Sequence, residues 1–117
     1  MAQQMPNRCI KNSPIRSIDA TPHWNGWGAD SVNSRMQPAS QAGLDAAQVP
    51  QLKLLWVFGL PGASSSYSQP TIVADHLFVG ADTGAVYALD AATGCVHWSF
   101  KAKAGVRNAP VLGPRSK

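Results

Sequence analysis

Two copies of one short pattern, about 42 residues apart, constrain the fold of this chain more than any other feature. Trp56-Val57-Phe58 is followed by Gln69-Pro70-Thr71-Ile72, and Trp98-Ser99-Phe100 is followed by Ala109-Pro110-Val111-Leu112. A repeat of this length is typical of propeller blades and solenoid units. Because the residues between the copies alternate in polarity and lack helical periodicity, the repeat favours a β-propeller over a helical solenoid.

One complete four-stranded antiparallel blade is predicted over about residues 69–100. Its strands are residues 71–73, 76–80, 85–89 and 95–100. The three connections between them are short and carry Asp or Gly, as antiparallel hairpins require. The predicted class is therefore all-β, a β-propeller fragment with one complete blade and parts of two neighbours.

The two partial neighbours are predicted on either side of this blade. Residues 53–58 alternate, with Leu54, Trp56 and Phe58 on one side, and they predict an outer strand of the preceding blade. Residues 108–112 would start the following, truncated blade. Together with the complete blade these segments define a propeller repeat region over residues 44–117.

Residues 1–43 show no period and predict an irregular N-terminal strap that ends in a Trp/Gly-rich loop. The next segment, residues 44–50, predicts a single helical turn. Asp45 can cap this turn, Gln48 stands three residues later as in a capping box, and Pro50 would end it.

A chain of 117 residues holds too few strands for the roughly 4–8 blades of a closed propeller. We therefore expect the N-terminal piece of a larger propeller, with closure by several copies as the alternative. The net charge of +4 is scattered, so no nucleic-acid partner is expected. No stretch is apolar for long enough to predict a membrane span, and the N-terminus as written lacks the apolar core of a signal peptide.

The sharpest local motif runs over residues 88–98. At the end of a strand, Asp90 can accept backbone N–H groups in an Asx turn, and Gly94 suits the positive φ that such a turn needs. Trp98 is predicted on the same strand face as Val96 and Phe100, placed to stack on a neighbouring blade. The motif is interpreted as structural rather than catalytic; its members are Ala88, Asp90, Thr93, Gly94 and Trp98.

The spacing of residues 88–98 resembles the tryptophan-docking repeat of the pyrroloquinoline quinone propellers. Residues 24–30 and 33–35 resemble a loop of the quinoprotein alcohol dehydrogenases. Asn7-Arg8-Cys9 and Thr93-Gly94-Cys95 most resemble the polyvinyl alcohol dehydrogenase branch. The resemblance covers about residues 7–113, and its docking repeat is shared with non-enzymatic propellers.

The resemblance implies an eight-bladed periplasmic oxidoreductase with pyrroloquinoline quinone near its axis and a metal ion, often calcium, beside it. Such an enzyme takes electrons from a small or polymeric alcohol and passes them to an acceptor such as a cytochrome. The blades that would supply the catalytic acid and the metal ligands are absent, so no catalytic and no metal-binding residue is assigned, and the chain alone is expected to be inactive. No Cys-x-x-Cys-His haem motif is present. The alternatives are a non-enzymatic propeller scaffold that binds other proteins, and a short product without a function of its own.

The loops that enter the innermost strands of such a blade face the propeller axis. Here they carry Tyr67 and Gln69 before the first repeat proline and Arg107 before the second. An arginine in this place could pair bidentately with a quinone carboxylate. The alternative is an arginine that binds carbonyls between blades. Arg107, Gln69 and Tyr67 are therefore the candidate cofactor-binding residues.

The family-like contexts of Cys9 and Cys95 suggest a disulfide between the strap and the outer strand of the blade, with two unrelated thiols as the alternative. The pair Cys95 and His97 also stands at a spacing that could share a strand face. A closed zinc site needs about four ligands, however, and no second pair is in view. His23 and His76 are interpreted as isolated, so no metal site is predicted.

Overall fold

Five antiparallel strands form one sheet whose order follows the chain. The computed structural model describes residues 5–15, 17–19 and 23–114. The strands are β1 His23–Trp24, β2 Thr71–Val73, β3 His76–Gly80, β4 Ala85–Asp90 and β5 Val96–Lys101. Two short helical segments precede β2, the α-helix α1 Ala39–Ala42 and a 3-10 helix Val49–Gln51. Neither approaches the length and apolar character that a helix needs to cross a membrane.

The predicted four-stranded meander is confirmed in β2 to β5. Strands β2 and β3 begin and end at the predicted residues, β4 extends one residue further, and β5 is shifted by one residue. The turns after β3 and β4 contain Gly84 with φ 87° and Gly94 with φ 70°, the region that glycine enters without steric cost. Local turn chemistry therefore sets the order of the blade.

One face of the sheet carries the main apolar cluster. Its buried members are Val79, Ala81, Ala85, Tyr87, Leu89 and Val96. Trp56, Phe58 and Leu60 pack across this face from outside the sheet, and the Phe58 and Tyr87 rings meet edge to face with centroids 5.2 Å apart. The segment before the blade thus covers the blade as a neighbouring blade would.

Residues 53–58 do not form the predicted strand. A strand needs a hydrogen-bonded neighbour, and no described part of the chain supplies one here. Leu54 was predicted on the same side as Trp56 and Phe58, but it is 82% exposed. Trp56 already contacts the turn at the end of β4, so Leu54 lies beyond the surface that could cover it.

A one-residue irregularity between β4 and β5 separates side chains that were predicted to share a face. Leu89 pairs with Val96 but Ala88 pairs with Trp98, so His97 is the extra residue of a β-bulge. Val96 therefore joins the apolar cluster, whereas Trp98 lies on the opposite face against Phe78, at 5.9 Å between ring centroids. The prediction that Trp98 shares a face with Val96 is wrong, because a bulge interrupts the two-residue alternation.

The N-terminal region contains more regular structure than its sequence predicted. Strand β1 extends the sheet at its β2 side, the inner edge of the blade, with Trp24 opposite Ile72, and α1 follows the Trp/Gly-rich loop. The predicted capping box is confirmed, because the Asp45 N–H donates to Gln48 Oε1 at 2.8 Å and the Gln48 N–H donates to Asp45 Oδ1 at 3.1 Å. Pro50 does not end this turn; it lies inside the 3-10 helix, at a first-turn position where its missing N–H costs no hydrogen bond.

The strap is fastened to the start of β5. Cys9 and Cys95 form a disulfide with their Cα atoms 5.0 Å apart, which confirms the suggested pairing. Beside it, the Cys9 N–H donates to Val96 O at 2.9 Å and the Val96 N–H donates to Asn7 O at 2.8 Å. Residues 108–112, predicted to begin the next blade, form no strand here; the Asn25 side chain instead bonds both backbone groups of Leu112. The proposed division of the chain at residues 43 and 44 stays a prediction.

Candidate functional site

Two of the three predicted cofactor-binding residues lie together at the inner edge of the blade. The Arg107 guanidinium carbon stands 5.6 Å from the centroid of the Tyr67 ring, a cation–π arrangement. Both side chains are exposed, Tyr67 to 60%, so a ligand could reach them. Gln69 is half-buried two residues further along the same loop. About 40 residues separate Tyr67 from Arg107 in the chain, so their contact depends on how two loops are joined.

A buried hydroxyl connects these two loops. Ser68 is 6% exposed, and its Oγ donates to the carbonyl of Asn108 at 2.9 Å. The same Oγ accepts the N–H of Gly80 from β3 at 3.1 Å. Further along β2, the Thr71 hydroxyl donates to Pro110 O. The segment that carries Arg107 is therefore attached to the sheet by side-chain hydroxyls.

Glycine lets the Arg107 segment approach the sheet closely. A Cβ at Gly80 would stand 2.3 Å from Val106 Cγ1, far inside contact distance. The Val106 N–H donates to Ala81 O at 2.9 Å, so backbone and side chain hold the segment at the same point. The position of Arg107 is thus fixed from the residue before it and the residue after it.

A carboxylate that the sequence suggested only as a turn residue lies in the neighbouring hairpin. Asp82 Oδ2 accepts bonds from the Ser64 hydroxyl at 3.2 Å and the Ser65 N–H at 3.1 Å. Its Oδ1 is buried and has no hydrogen-bond partner in the described part of the chain. This contact could not be predicted, because an Asp before Thr-Gly looks the same whether it shapes only its own turn or also binds a distant loop.

The charge on Arg107 has no ionic partner in the described part of the chain. The close pairs of basic and acidic side chains there are His76 with Asp75 and His97 with Asp90. No described carbonyl accepts a hydrogen bond from Arg107 either, although the sequence also allows an arginine that binds carbonyls between blades. The arrangement can therefore receive a planar anion: the guanidinium offers paired donors and the Tyr67 ring supports it from one side.

The tryptophan-docking motif forms a second, structural site. Asp90 Oδ1 accepts bonds from the Thr93 hydroxyl at 2.7 Å, the Thr93 N–H at 2.8 Å and the Ala92 N–H at 3.1 Å. The bond from the Thr93 hydroxyl, assisted by those backbone groups, holds the pKa of Asp90 below its usual range. The ring of Trp56 lies on Gly94, where a Cβ would stand 2.6 Å from Cδ2.

Docking is completed by a hydrogen bond, because the Trp56 Nε1–H donates to Ala91 O at 3.0 Å. Ala88, another member of the motif, is fully buried in β4. Trp98, which corresponds to Trp56 in the second copy of the pattern, is 45% exposed. The motif thus acts here as the docking site of Trp56, the tryptophan of the first copy of the pattern.

His76, which the sequence predicted to be isolated, stacks under the strap on His97, which had been paired with Cys95. The His76 and His97 rings are 4.5 Å apart and both residues are almost fully buried. His76 Nδ1 lies 2.7 Å from Asp75 Oδ1 and its Nε2 lies 2.9 Å from Ser13 O. Burial, and next the neighbouring His76, lower the pKa of His97.

These histidines do not make a metal site with Cys95, whose sulfur is used in the disulfide. The described residues contain no group of three or more His, Cys, Asp or Glu side chains placed to hold a metal ion. The stacking was missed from the sequence because the bulge at His97 turns this ring towards His76, and the bulge has no sequence marker.

The blade and its docking site define the class of protein. Residues 24–114 match the protein-family model described as "PQQ: Glucose/ethanol/alcohol dehydrogenase, beta-propeller domain". Because this match covers most of the chain, the chain belongs to the pyrroloquinoline quinone β-propeller family, as the resemblance suggested. The all-β propeller class predicted from the repeat is confirmed with it.

Three curated relatives are similar to the chain. It is 45% identical over 102 residues to "Polyvinylalcohol dehydrogenase" of Pseudomonas sp, and 42% identical over 95 residues to "Polyvinylalcohol dehydrogenase" of Sphingopyxis sp. (strain 113P3). It is 30% identical over 80 residues to "Quinohemoprotein alcohol dehydrogenase" of Comamonas testosteroni. These matches cover 87%, 81% and 68% of this chain but only 15%, 14% and 11% of the relatives. No solved structure matches at comparable significance.

Proposed function

We propose that this chain is one part of a quinoprotein that oxidises alcohols, and that Arg107 contributes one carboxylate contact to its pyrroloquinoline quinone. The observation that carries the proposal is the exposed guanidinium of Arg107, held 5.6 Å from the Tyr67 ring with no described carboxylate partner. Family membership supports the cofactor, and the names of the relatives support an alcohol substrate.

The residues present fit one edge of such a cofactor. Pyrroloquinoline quinone is a flat, fused ring system that carries carboxylates, and a guanidinium matches a carboxylate in shape and charge. Tyr67 would orient Arg107 from behind, and the half-buried Gln69 would offer an amide N–H to a second oxygen. When bound, the quinone would accept the electrons removed from the alcohol, since redox chemistry of this kind belongs to the cofactor.

Polyvinyl alcohol is the substrate we propose for the whole protein, by similarity to the two relatives of that name. We place the whole protein in the periplasm, with calcium beside the quinone and a cytochrome as electron acceptor. The disulfide between Cys9 and Cys95 supports an oxidising compartment. The calcium ligands and the catalytic acid would come from blades outside this chain.

We expect the chain alone to be inactive. Trp98 and Phe100 are 45% and 60% exposed, so the face that would carry the next blade is uncovered. A single charge-assisted hydrogen bond contributes about 1.5–3 kcal/mol, whereas micromolar affinity requires roughly 8 kcal/mol. The test is calorimetry of residues 1–117 with pyrroloquinoline quinone and calcium, combined with dye reduction by an alcohol. Micromolar binding or turnover above that of the free cofactor would contradict the expectation of inactivity.

The weak contact itself can be tested by NMR titration of the chain with pyrroloquinoline quinone at millimolar concentration. We expect shifts centred on Arg107 and Tyr67, and we expect Arg107→Gln to abolish them. Lys103→Gln is the matched control, because it removes an exposed positive charge from the same loop. Equal shifts in both variants would mean that the quinone is attracted by net charge alone, and the assignment of Arg107 would fail.

A further inference from the structure

We propose that Ser68 is a positioning residue, which holds Arg107 and Tyr67 in the arrangement that receives the cofactor carboxylate. This inference rests on the proposed function of Arg107 for its consequence, but its geometry stands on the described contacts alone. Ser68 follows Tyr67 directly, and its hydroxyl bonds the carbonyl of Asn108, the residue after Arg107. One hydrogen bond therefore joins the immediate neighbours of both members of the pair.

The Ser68 hydroxyl acts both as a hydrogen-bond donor and as an acceptor. As a donor it reaches Asn108 O at 2.9 Å, and as an acceptor it receives the Gly80 N–H at 3.1 Å. Because Gly80 belongs to β3, the hydroxyl ties both loops to a strand rather than only to each other. With 6% of the residue exposed, water has little access to replace these bonds.

The direction of the side chains explains why this contact controls the exposed pair. Ser68 is buried while Tyr67, the preceding residue, is 60% exposed, so successive side chains point to opposite sides of the loop. On the facing segment, Val106 packs onto Gly80 and Arg107 is exposed. The buried serine thus sets the spacing of the two loops, and the spacing sets the distance between the ring and the guanidinium.

Thr71 provides a matched control for this role. It is fully buried, and its hydroxyl also donates to a backbone carbonyl of the Arg107 segment, that of Pro110. Its bond lies three residues from Arg107, whereas the bond of Ser68 lies at the adjacent residue. Thr71→Val removes the hydroxyl and keeps the shape. A general structural loss should therefore follow both substitutions, and a positioning loss should follow only Ser68→Ala.

The first measurement needs no cofactor. In the full chain, we expect the Tyr67 ring, whose centroid is 5.6 Å from the Arg107 guanidinium carbon, to shift the NMR resonances of the Arg107 Cδ protons, and Tyr67→Leu gives the value without the ring. We expect Ser68→Ala to lose more than about half of this ring-current shift and Thr71→Val to keep it, since Ser68, unlike Thr71, bonds a residue adjacent to Arg107. A folded Ser68→Ala chain that keeps the full shift would overturn the inference.

A second variant protects the test against a failure to fold. Ser68→Cys keeps the shape of the side chain with a larger atom and a weaker donor in place of the hydroxyl, so we expect an intermediate loss of the ring-current shift. A shift equal to that of the unsubstituted chain in Ser68→Cys, with Ser68→Ala unfolded, would also overturn the inference.

The cofactor titration then separates this inference from the function on which it rests. If Arg107 binds the quinone, Ser68→Ala should weaken the millimolar binding about three- to tenfold, the equivalent of one hydrogen bond, and Thr71→Val should leave it unchanged. If Arg107→Gln leaves the titration unaltered, the proposed function fails while the ring-current result still decides the role of Ser68. If Arg107→Gln abolishes binding and Ser68→Ala does not weaken it, the inference fails and the proposed function stands.

Discussion

The two copies of the Trp-x-Phe pattern have nearly the same sequence but different surroundings. Trp56 lies on Gly94 and donates to Ala91 O at 3.0 Å, and Phe58 packs against Tyr87. Trp98 contacts Phe78 within its own sheet and remains 45% exposed, and Phe100 is 60% exposed. The surroundings differ because the first copy meets the Asp-Gly turn between β4 and β5, whereas no described part of the chain offers such a turn to the second.

In its first copy the Trp-x-Phe pattern therefore forms one half of an interface with the blade that follows it. The other half is the turn of the next blade, where Asp90 and Thr93 shape the loop and Gly94 leaves room for the indole ring. A repeat can fold its own four strands and still expose its docking tryptophan. In repeat architectures stability resides in such nearest-neighbour interfaces as well as in the units themselves.

The greatest loss of stability is expected on removal of the disulfide that joins the strap to the start of β5, the strand that carries the undocked copy. Replacing both cysteines, Cys9→Ser with Cys95→Ser, removes a crosslink between residues 86 apart in sequence. On the chain-entropy model this should lower the free energy of unfolding by about 4–5 kcal/mol. Urea unfolding of the oxidised chain and the double variant measures the loss. Reductant should destabilise the unsubstituted chain but not the double variant, and a loss below about 1 kcal/mol would contradict a stabilising crosslink.

The second prediction tests the difference between the two copies directly. Trp56→Ala should lower the free energy of unfolding by about 2–4 kcal/mol, because it removes a packed indole and the bond to Ala91 O. Trp98→Ala should cost less than about 1 kcal/mol, since much of that ring is already in water. Both values come from denaturant midpoints measured at equal slopes. Equal losses for the two tryptophans would break the distinction between docked and undocked copies.

The third prediction concerns the room that glycine leaves for the docked ring. Gly94→Ala should cost about 2–4 kcal/mol, the sum of an unfavourable positive φ and a clash with Trp56. Gly43→Ala is the matched control: Gly43 has φ 65° and nothing within 4 Å of an added Cβ, so only about 1–2 kcal/mol is expected. The difference between the two, measured by thermal or urea unfolding, reports the docking contact. No difference would mean that Trp56 moves aside without cost.

The weakest effect is a pH dependence that differs between the two regions. The pKa of His97 is lowered, chiefly by burial, so the unfolded chain binds this proton more readily and stability should fall as pH drops below about 6.5. The pKa of Asp90, in the docking turn, is lowered chiefly by the Thr93 hydroxyl, so its contribution should be lost only below about pH 3.9.

The measurement is the free energy of unfolding from pH 8 to pH 3 for the unsubstituted chain and two variants. His97→Gln should remove the upper step, and Thr93→Val should reduce the lower one. The charged groups that face His97 include His76, Asp75 and Asp90. The control is therefore that Thr93→Val, which alters the surroundings of Asp90, leaves the upper step in place. A stability that rises between pH 6.5 and pH 5 would contradict the assigned direction for His97.

Much of the blade could be predicted from the sequence because its information is local. Alternating apolar residues and Asp/Gly turns specify strands and hairpins within about ten residues of one another, and β2 to β5 follow that prediction closely. The capping box of Asp45 and Gln48 is local in the same way. The candidate pair of Arg107 and Tyr67 was reached from equivalent positions in two repeats, which does not specify that the side chains touch.

Contacts between distant segments could not be predicted from the sequence and are found only in the folded chain. The bulge at His97 reversed the face of Trp98, residues 53–58 lacked a strand partner, and β1 joined the inner edge without a periodic signal. The bond from Ser68 to Asn108 is another such contact between distant segments. A serine in a loop has many possible hydrogen-bond partners, and the sequence does not indicate which of them it will bind. The repeat, its turns and its family are contained in the sequence alone, because these depend on residue types at fixed local spacing. Which tryptophan is docked and which side chains meet at the inner edge depend on the tertiary structure, because those contacts exist only when segments far apart in the chain are packed against one another.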